Sequence, residues 1–200
     1  MNKIFALFAS LLMAFSVHAA PTFTEGSDYT VIDQPKSAQP TVTEYFSFYC
    51  PHCYKFESII TNLKPALASD VTLEKVHVGF MGGEMAQSMV KAYATMTELQ
   101  VEDVMVPAMF ERIHVLRKAP QSDAEIRQLF IDNGISAQAF DAAFNGKAVE
   151  ALLQQYEEKF TNSTLRGVPA VVVNNKYIVV ASNIKSYDEY NQLVNYLLTL

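Results

Sequence analysis

Phe48-Tyr49-Cys50-Pro51-His52-Cys53-Tyr54 holds both cysteines of the chain, two residues apart. The stretch joins two kinds of pattern. Residues 42–49 are rich in β-branched and aromatic side chains and near-continuously apolar, as in a strand covered on both faces. From Cys53 onward, Phe56, Ile59, Ile60 and Leu63 recur at helical spacing. The pair therefore stands at a strand-to-helix junction, with Cys50 at or just before the first helical turn. Unpaired N–H groups and the positive dipole end there favour a thiolate. Pro51 suits the first helical position, where its missing N–H costs nothing. His52 can add positive charge beside the sulfur. Cys53, one turn inward, should be the more buried of the two and able to attack a mixed disulfide formed at Cys50.

Three other uses of two cysteines fit less well. A structural disulfide here closes too short a loop to constrain the unfolded chain much. A zinc site needs two more ligands, and outside the extreme N-terminus only His52, His77 and His114 remain, none with a matching paired spacing. Inert buried thiols leave the proline and histidine at the helix start unexplained. A Cys-x-x-Cys at such a junction is the mark of a thioredoxin-like redox site.

The chain has 200 residues, half of them hydrophobic, enough for one ordinary domain or one domain carrying an insertion. Its net charge is −6 with no Lys/Arg cluster, which argues against nucleic acid or anionic membrane surfaces as partners. Residues 1–19 read as a cleaved signal peptide: Lys3, then an apolar run from Ile4 to Val17, then Val17-His18-Ala19 as the cleavage signal. The apolar run is shorter than the roughly 20 residues of a spanning helix. Export places the two thiols in a compartment that permits disulfides, so the pair reads as a handler of other proteins' disulfides.

Further along, Tyr29–Val31 with Ile32 reads as a strand, and residues 71–78 alternate as another. From Gly82-Gly83 to about Phe160 the period is helical. Met85, Met89, Ala92, Tyr93 and Met96 form one stripe, and Met109, Ile113 and Leu116 form another after Pro107. Ser122-Asp123-Ala124-Glu125 and Ser186-Tyr187-Asp188-Glu189 are capping boxes. The strand period returns after Gly167-Val168-Pro169, where residues 170–173 and 177–180 flank Asn174-Asn175-Lys176 as a hairpin. The last helix carries Tyr190, Leu193, Val194, Leu197 and Leu198. The economical reading is an α/β domain split by an all-helical insertion, with residues 20–78 and 157–200 forming the first and 79–156 the second.

Four segments together resemble the DsbA family of periplasmic thiol–disulfide oxidoreductases of Gram-negative bacteria. They are residues 44–54, His77-Val78-Gly79-Phe80-Met81-Gly82-Gly83, Val101-Glu102-Asp103, and Leu165-Arg166-Gly167-Val168-Pro169-Ala170. The resemblance implies a thioredoxin fold with a helical domain inserted after the third strand. It implies oxidation of dithiols in exported substrates through a Cys50–Cys53 disulfide, with no separate cofactor. It also implies reoxidation by the membrane partner DsbB, which passes electrons to quinone. One departure is the absence of tryptophan. Tyr93 stands in the insertion where the best-known relatives suggest one.

Other residues carry two readings each. Val168-Pro169 alone is an ordinary proline at a strand start. The resemblance implies a cis-proline loop facing the cysteines, with Val168's backbone free to pair with an extended substrate strand. Glu44 lies in the apolar strand, where a carboxylate is costly without a partner or a use. It reads as a buried proton acceptor beneath Cys53, paired with Lys75 and joined by Glu57, or all three lie at solvated positions. His77 and His114 read as ordinary strand and helix histidines. Met81, Met85 and Met89 could line an adaptable substrate face, but a stripe at helical spacing more often belongs to the core. The function expected is a periplasmic, monomeric dithiol oxidase acting on newly exported proteins. An exported thiol reductase or isomerase, or a thiol-based metal-binding module, is the alternative.

Overall fold

Strands β1 (Tyr29–Val31), β2 (Thr41–Phe46), β3 (Thr72–His77), β4 (Ala170–Val173) and β5 (Tyr177–Val179) form one mixed sheet in the order β1-β5-β4-β2-β3. The computed structural model describes residues 23–200, so the expected signal peptide and its cleavage site lie outside the described residues. β2 and β3 run parallel, which requires a crossover, and α1 (Pro51–Leu63) supplies it. Their register sets Glu44 beside Lys75 and Phe46 beside His77. The β4–β5 hairpin turns through Asn174 and Asn175, both at positive φ, a conformation asparagine tolerates better than most residues.

The apolar run 42–49 is longer than the strand it forms. β2 stops at Phe46 because the chain then turns: the Cys50 N–H bonds to the Ser47 carbonyl at 3.0 Å. Beyond Phe46 the apolar side chains continue as a buried loop. Pro107 also differs from expectation. It lies inside α3 (Glu102–Phe110) rather than ahead of it. Lacking an N–H, it leaves the Asp103 carbonyl, in the first turn, without its usual helical donor. The helix then widens into a π-helical turn, Glu111–Val115.

Between β3 and β4 come five helices: α2 (Ala86–Leu99), α3, α4 (Asp123–Asp132), α5 (Ala137–Phe144) and α6 (Lys147–Asn162). Their core is continuous with one face of the sheet. Phe46 and Phe48 meet Tyr93 and Phe110, with ring centroids 4.9 Å apart for Phe46–Tyr93 and 5.1 Å for Phe48–Phe110. Met89 and Met96 are fully buried here, and Met81 and Met85 pack against the same cluster from its edge. The opposite face is covered by α1 and α7 (Tyr187–Thr199), through Ile60, Leu63, Leu193, Val194 and Leu197 against Val42, Val171 and Val173. Ser122 and Ser186 cap α4 and α7 by accepting the N–H groups of Glu125 and Glu189. The glutamates return the contact one residue further out, to the Gln121 and Lys185 N–H groups. Among the described residues no helix is long and apolar enough to cross a membrane.

Candidate active site

Cys50 is the N-cap of α1 and Pro51 its first residue. The cap geometry uses sulfur where a hydroxyl or carboxylate oxygen usually serves: Cys50 Sγ accepts the Cys53 N–H at 3.3 Å. The same thiol donates to the Val168 carbonyl at 3.5 Å. The Val168–Pro169 bond is cis, and both residues are half-buried. Both cysteines are free thiols. Cys50 keeps 4% of its surface exposed and Cys53 none, so an incoming group reaches the first sulfur before the second. Burial pushes the Cys53 thiol well above the usual range, and the neighbouring Cys50 and Glu44 charges act in the same direction against a hydrogen bond from the Ser47 backbone. His52 and Pro51 are exposed at the rim.

Beneath the helix lies a buried charge group. Glu44 is completely buried, and Lys75 Nζ lies 3.0 Å from its Oε2 and 2.6 Å from Glu57 Oε1. Burial pushes Glu44 up to about 7; Lys75 opposes the shift and Glu57 adds to it. Burial works to lower Lys75, but the two carboxylates outweigh it and leave the ammonium raised. Glu44 Oε1 has no hydrogen-bond partner. The structure thus brings Glu44, Lys75 and Glu57 together, and the Glu44 charge is among the influences that raise the Cys53 thiol.

Two histidines absent from the sequence-derived site hold the loop that leads to Cys50. The Phe48 N–H donates to His77 Nε2 at 3.0 Å, and the Phe48 carbonyl accepts from His114 Nε2 at 2.8 Å. Burial pushes His77 down to about 3, so it is neutral and its Nε2 accepts. The β2–β3 register was a signal for His77, since it sets that residue beside the end of β2. Nothing comparable points to His114, which arrives from the insertion. Gly82 is also part of the approach: at φ +106 it packs against the Tyr49 ring, and an added Cβ would stand 2.3 Å from a ring carbon. Among the described residues no three His, Cys, Asp or Glu side chains gather as a metal ion requires.

Residues 41–192 match the DSBA-like thioredoxin domain family. The thiol:disulfide interchange protein DsbA of Escherichia coli strain K12 is 39% identical over 180 residues, covering 88% of this chain and 86% of that protein. The DsbA of Dickeya dadantii is 36% identical over 208 residues, covering 100% of this chain and 99% of its own. Among solved structures, the disulfide oxidoreductase DsbA from Proteus mirabilis superposes with a TM-score of 0.82 at 34% identity, over 90% of this chain and 98% of that one. A variant of that protein, solved with a non-covalently bound peptide PWATCDS, gives 0.85 at 32% identity, over 90% of this chain and 100% of its own. With the sheet order, the helical insertion and the capped cysteine pair, these likenesses make the chain a member of the DsbA family of thioredoxin-fold thiol:disulfide oxidoreductases.

Proposed function

We propose that this thiol:disulfide oxidoreductase is exported to the periplasm by residues 1–19 and there gives its Cys50–Cys53 disulfide to newly exported proteins. The observation that carries the reading is the Cys50 sulfur at the cap of α1, between the Cys53 N–H and the Val168 carbonyl. A substrate thiolate attacks Cys50 Sγ. The bond to Cys53 breaks, and its electron pair leaves on Cys53, which takes a proton. A second substrate thiolate attacks the substrate sulfur of the mixed disulfide, and Cys50 leaves as a thiolate at the helix N-terminus. The substrate loses two electrons and gains a disulfide. Of its two thiol protons, one is matched on Cys53 and one goes to solvent.

The surrounding residues have roles in the same proposal. Glu44, pushed up to about 7, exchanges the proton of Cys53, and Lys75 and Glu57 hold it in place. Pro51 and His52 tune the cap. Val168 and Pro169 receive an extended substrate strand, and the peptide-bound relative supports a peptide as the kind of ligand. The pair is reoxidised by a DsbB-type membrane partner. The redox group is the chain's own disulfide, and the protein works as a monomer. Residues 20–78 and 157–200 form its thioredoxin-like part and 79–156 the inserted one.

A redox titration against glutathione, with melting of both forms at neutral pH, tests the direction of exchange. An oxidase is expected to favour its reduced form and to melt higher when reduced, because the thiolate is stabilised by the helix terminus. A clearly more stable oxidised form would make the protein a reductase or isomerase. Thiol counting after purification without reductant, with metal analysis, addresses the metal-binding alternative. Bound metal at the thiols would remove the oxidase reading.

A further inference from the structure

Phe48 lies two residues ahead of Cys50 and is fully buried. Its N–H ends on His77 and its carbonyl on His114, and no other hydrogen bond reaches either group among the described residues. His77 belongs to the neighbouring strand. His114 comes from 66 residues away, in the π-helical turn Glu111–Val115, where the Leu116 N–H bonds back to the Glu111 carbonyl. A wide turn of this kind re-aims a side chain and is frequent at functional sites. The His114 ring also stacks on Tyr54, with centroids 5.2 Å apart and planes 6° from parallel. The Tyr54 N–H bonds in turn to the Cys50 carbonyl at 3.1 Å. His114 therefore touches the chain on both sides of Cys50.

We propose that His114 is a positioning residue for Cys50, holding the entry loop at the Phe48 carbonyl and the first helical turn at Tyr54. The proposal rests on the reading of Cys50 as the attacking sulfur. In the oxidised protein the disulfide itself holds Cys50 against α1. In the reduced protein the cap contact, the Val168 carbonyl and the loop do so. A loop freed at Phe48 lets the reduced sulfur leave the helix N-terminus more often, and the reduced form loses more stabilisation than the oxidised one. The exchange equilibrium then moves toward the disulfide, and the protein becomes a weaker oxidant.

Two variants of the mature protein separate the hydrogen bond from general packing. His114→Phe keeps a ring over Tyr54 and removes the donor; His114→Gln restores a donor and removes the ring. Equilibrium with glutathione, and melting in both redox forms, are the readouts. The expected result for His114→Phe is a shift of about threefold toward the disulfide, with the reduced form losing more of its melting temperature than the oxidised. His114→Gln recovers most of that shift. An unmoved equilibrium in His114→Phe, an equal shift in His114→Gln, or equal losses in both redox forms overturns the proposal. Alkylation of the reduced parent, mapped by peptide analysis, tests the reading beneath it. Preferential labelling of Cys53 sinks both, whereas labelling of Cys50 with an unmoved equilibrium sinks the positioning role alone.

Discussion

At the cap of α1 the groups bonded to the Cys50 sulfur are neutral, the Cys53 N–H and the Val168 carbonyl, and behind the entry loop His77 is uncharged as well. On the buried face of the same helix the groups are ionic. There Lys75 lies between Glu44 and Glu57, and Glu44 has no exposure at all. The difference shows how one helix can serve a charge that appears and disappears. Peptide dipoles at the cap are fixed, cost nothing to reorganise and hold no proton. The carboxylate beneath can hold or release one near neutrality. The two regions also respond to pH in opposite senses. As pH falls below the usual imidazole range, the unfolded chain protonates His77 while the folded chain resists until about pH 3, so stability is lost on the acid side. As pH rises past the usual glutamate range, the unfolded chain ionises Glu44 first, and the stability lost is complete only above about pH 7.

The largest effect expected comes from the sulfurs themselves. Cys50→Ser should reduce oxidation of a reduced test protein to background. Cys53→Ser should leave Cys50 able to capture substrates in mixed disulfides that no longer resolve through the partner thiol. Non-reducing electrophoresis reads both. Accumulated mixed disulfides in Cys50→Ser rather than Cys53→Ser would reverse the assignment of the two ends.

The acid limb comes next in size. His77→Gln offers an oxygen acceptor to the Phe48 N–H without a proton to gain. It sacrifices ring packing against Phe46 and Phe48, so some stability is lost at every pH. Its loss between pH 7 and pH 4 should nonetheless be smaller than the parent's by about 2–3 kcal/mol, from a slope of up to about 1.4 kcal/mol per pH unit for one proton. Urea melts across that range measure it. Parallel curves for the two proteins would mean that His77 is not held neutral.

On the alkaline limb the sign reverses and the effect is smaller, because Lys75 offsets part of the burial cost. Glu44→Gln should be more stable than the parent by about 1–2 kcal/mol at pH 8, an advantage that disappears toward pH 4.5. It should also slow exchange at Cys53, since the buried proton carrier is gone. A variant with the parent's pH dependence of both stability and rate would break the contrast between the two faces.

Much of this arrangement was legible because its signals are local or follow from strand register. A cysteine before a proline at the start of an apolar helical period places itself at a cap. A glutamate in an apolar strand demands a partner, and parallel pairing of β2 with β3 supplies Lys75 beside it. The hairpin asparagines and the serine caps are likewise local chemistry. What escaped was the end of β2 and the two imidazoles that hold Phe48. Apolar periodicity cannot show where a buried chain leaves the sheet, since the side chains remain buried on both sides of that point. His114 is invisible for a further reason. Its aim depends on a π-helical turn, and on a contact between the insertion and a loop 66 residues earlier, neither of which leaves a repeating pattern.

Glu57→Gln is the smallest change and sharpens the ionic side most closely. Glu57 is partly exposed, so its contribution is screened, and the stability change at neutral pH should stay below about 1 kcal/mol. Its informative effect is on Glu44. With the glutamate charge removed, one of the influences that raise Glu44 is gone, while Lys75 remains 3.0 Å away to favour the carboxylate. Glu44 then ionises at lower pH in the folded protein. The stability attributable to its protonation should therefore finish disappearing at a pH below that of the parent, and the alkaline limb should flatten earlier. Comparing Glu57→Gln with the double variant Glu44→Gln/Glu57→Gln isolates this, because the displaced limb must vanish when Glu44 is absent. A limb that persists in the double variant would show that another buried group carries it, and the ionic face of α1 would have to be redrawn around that group.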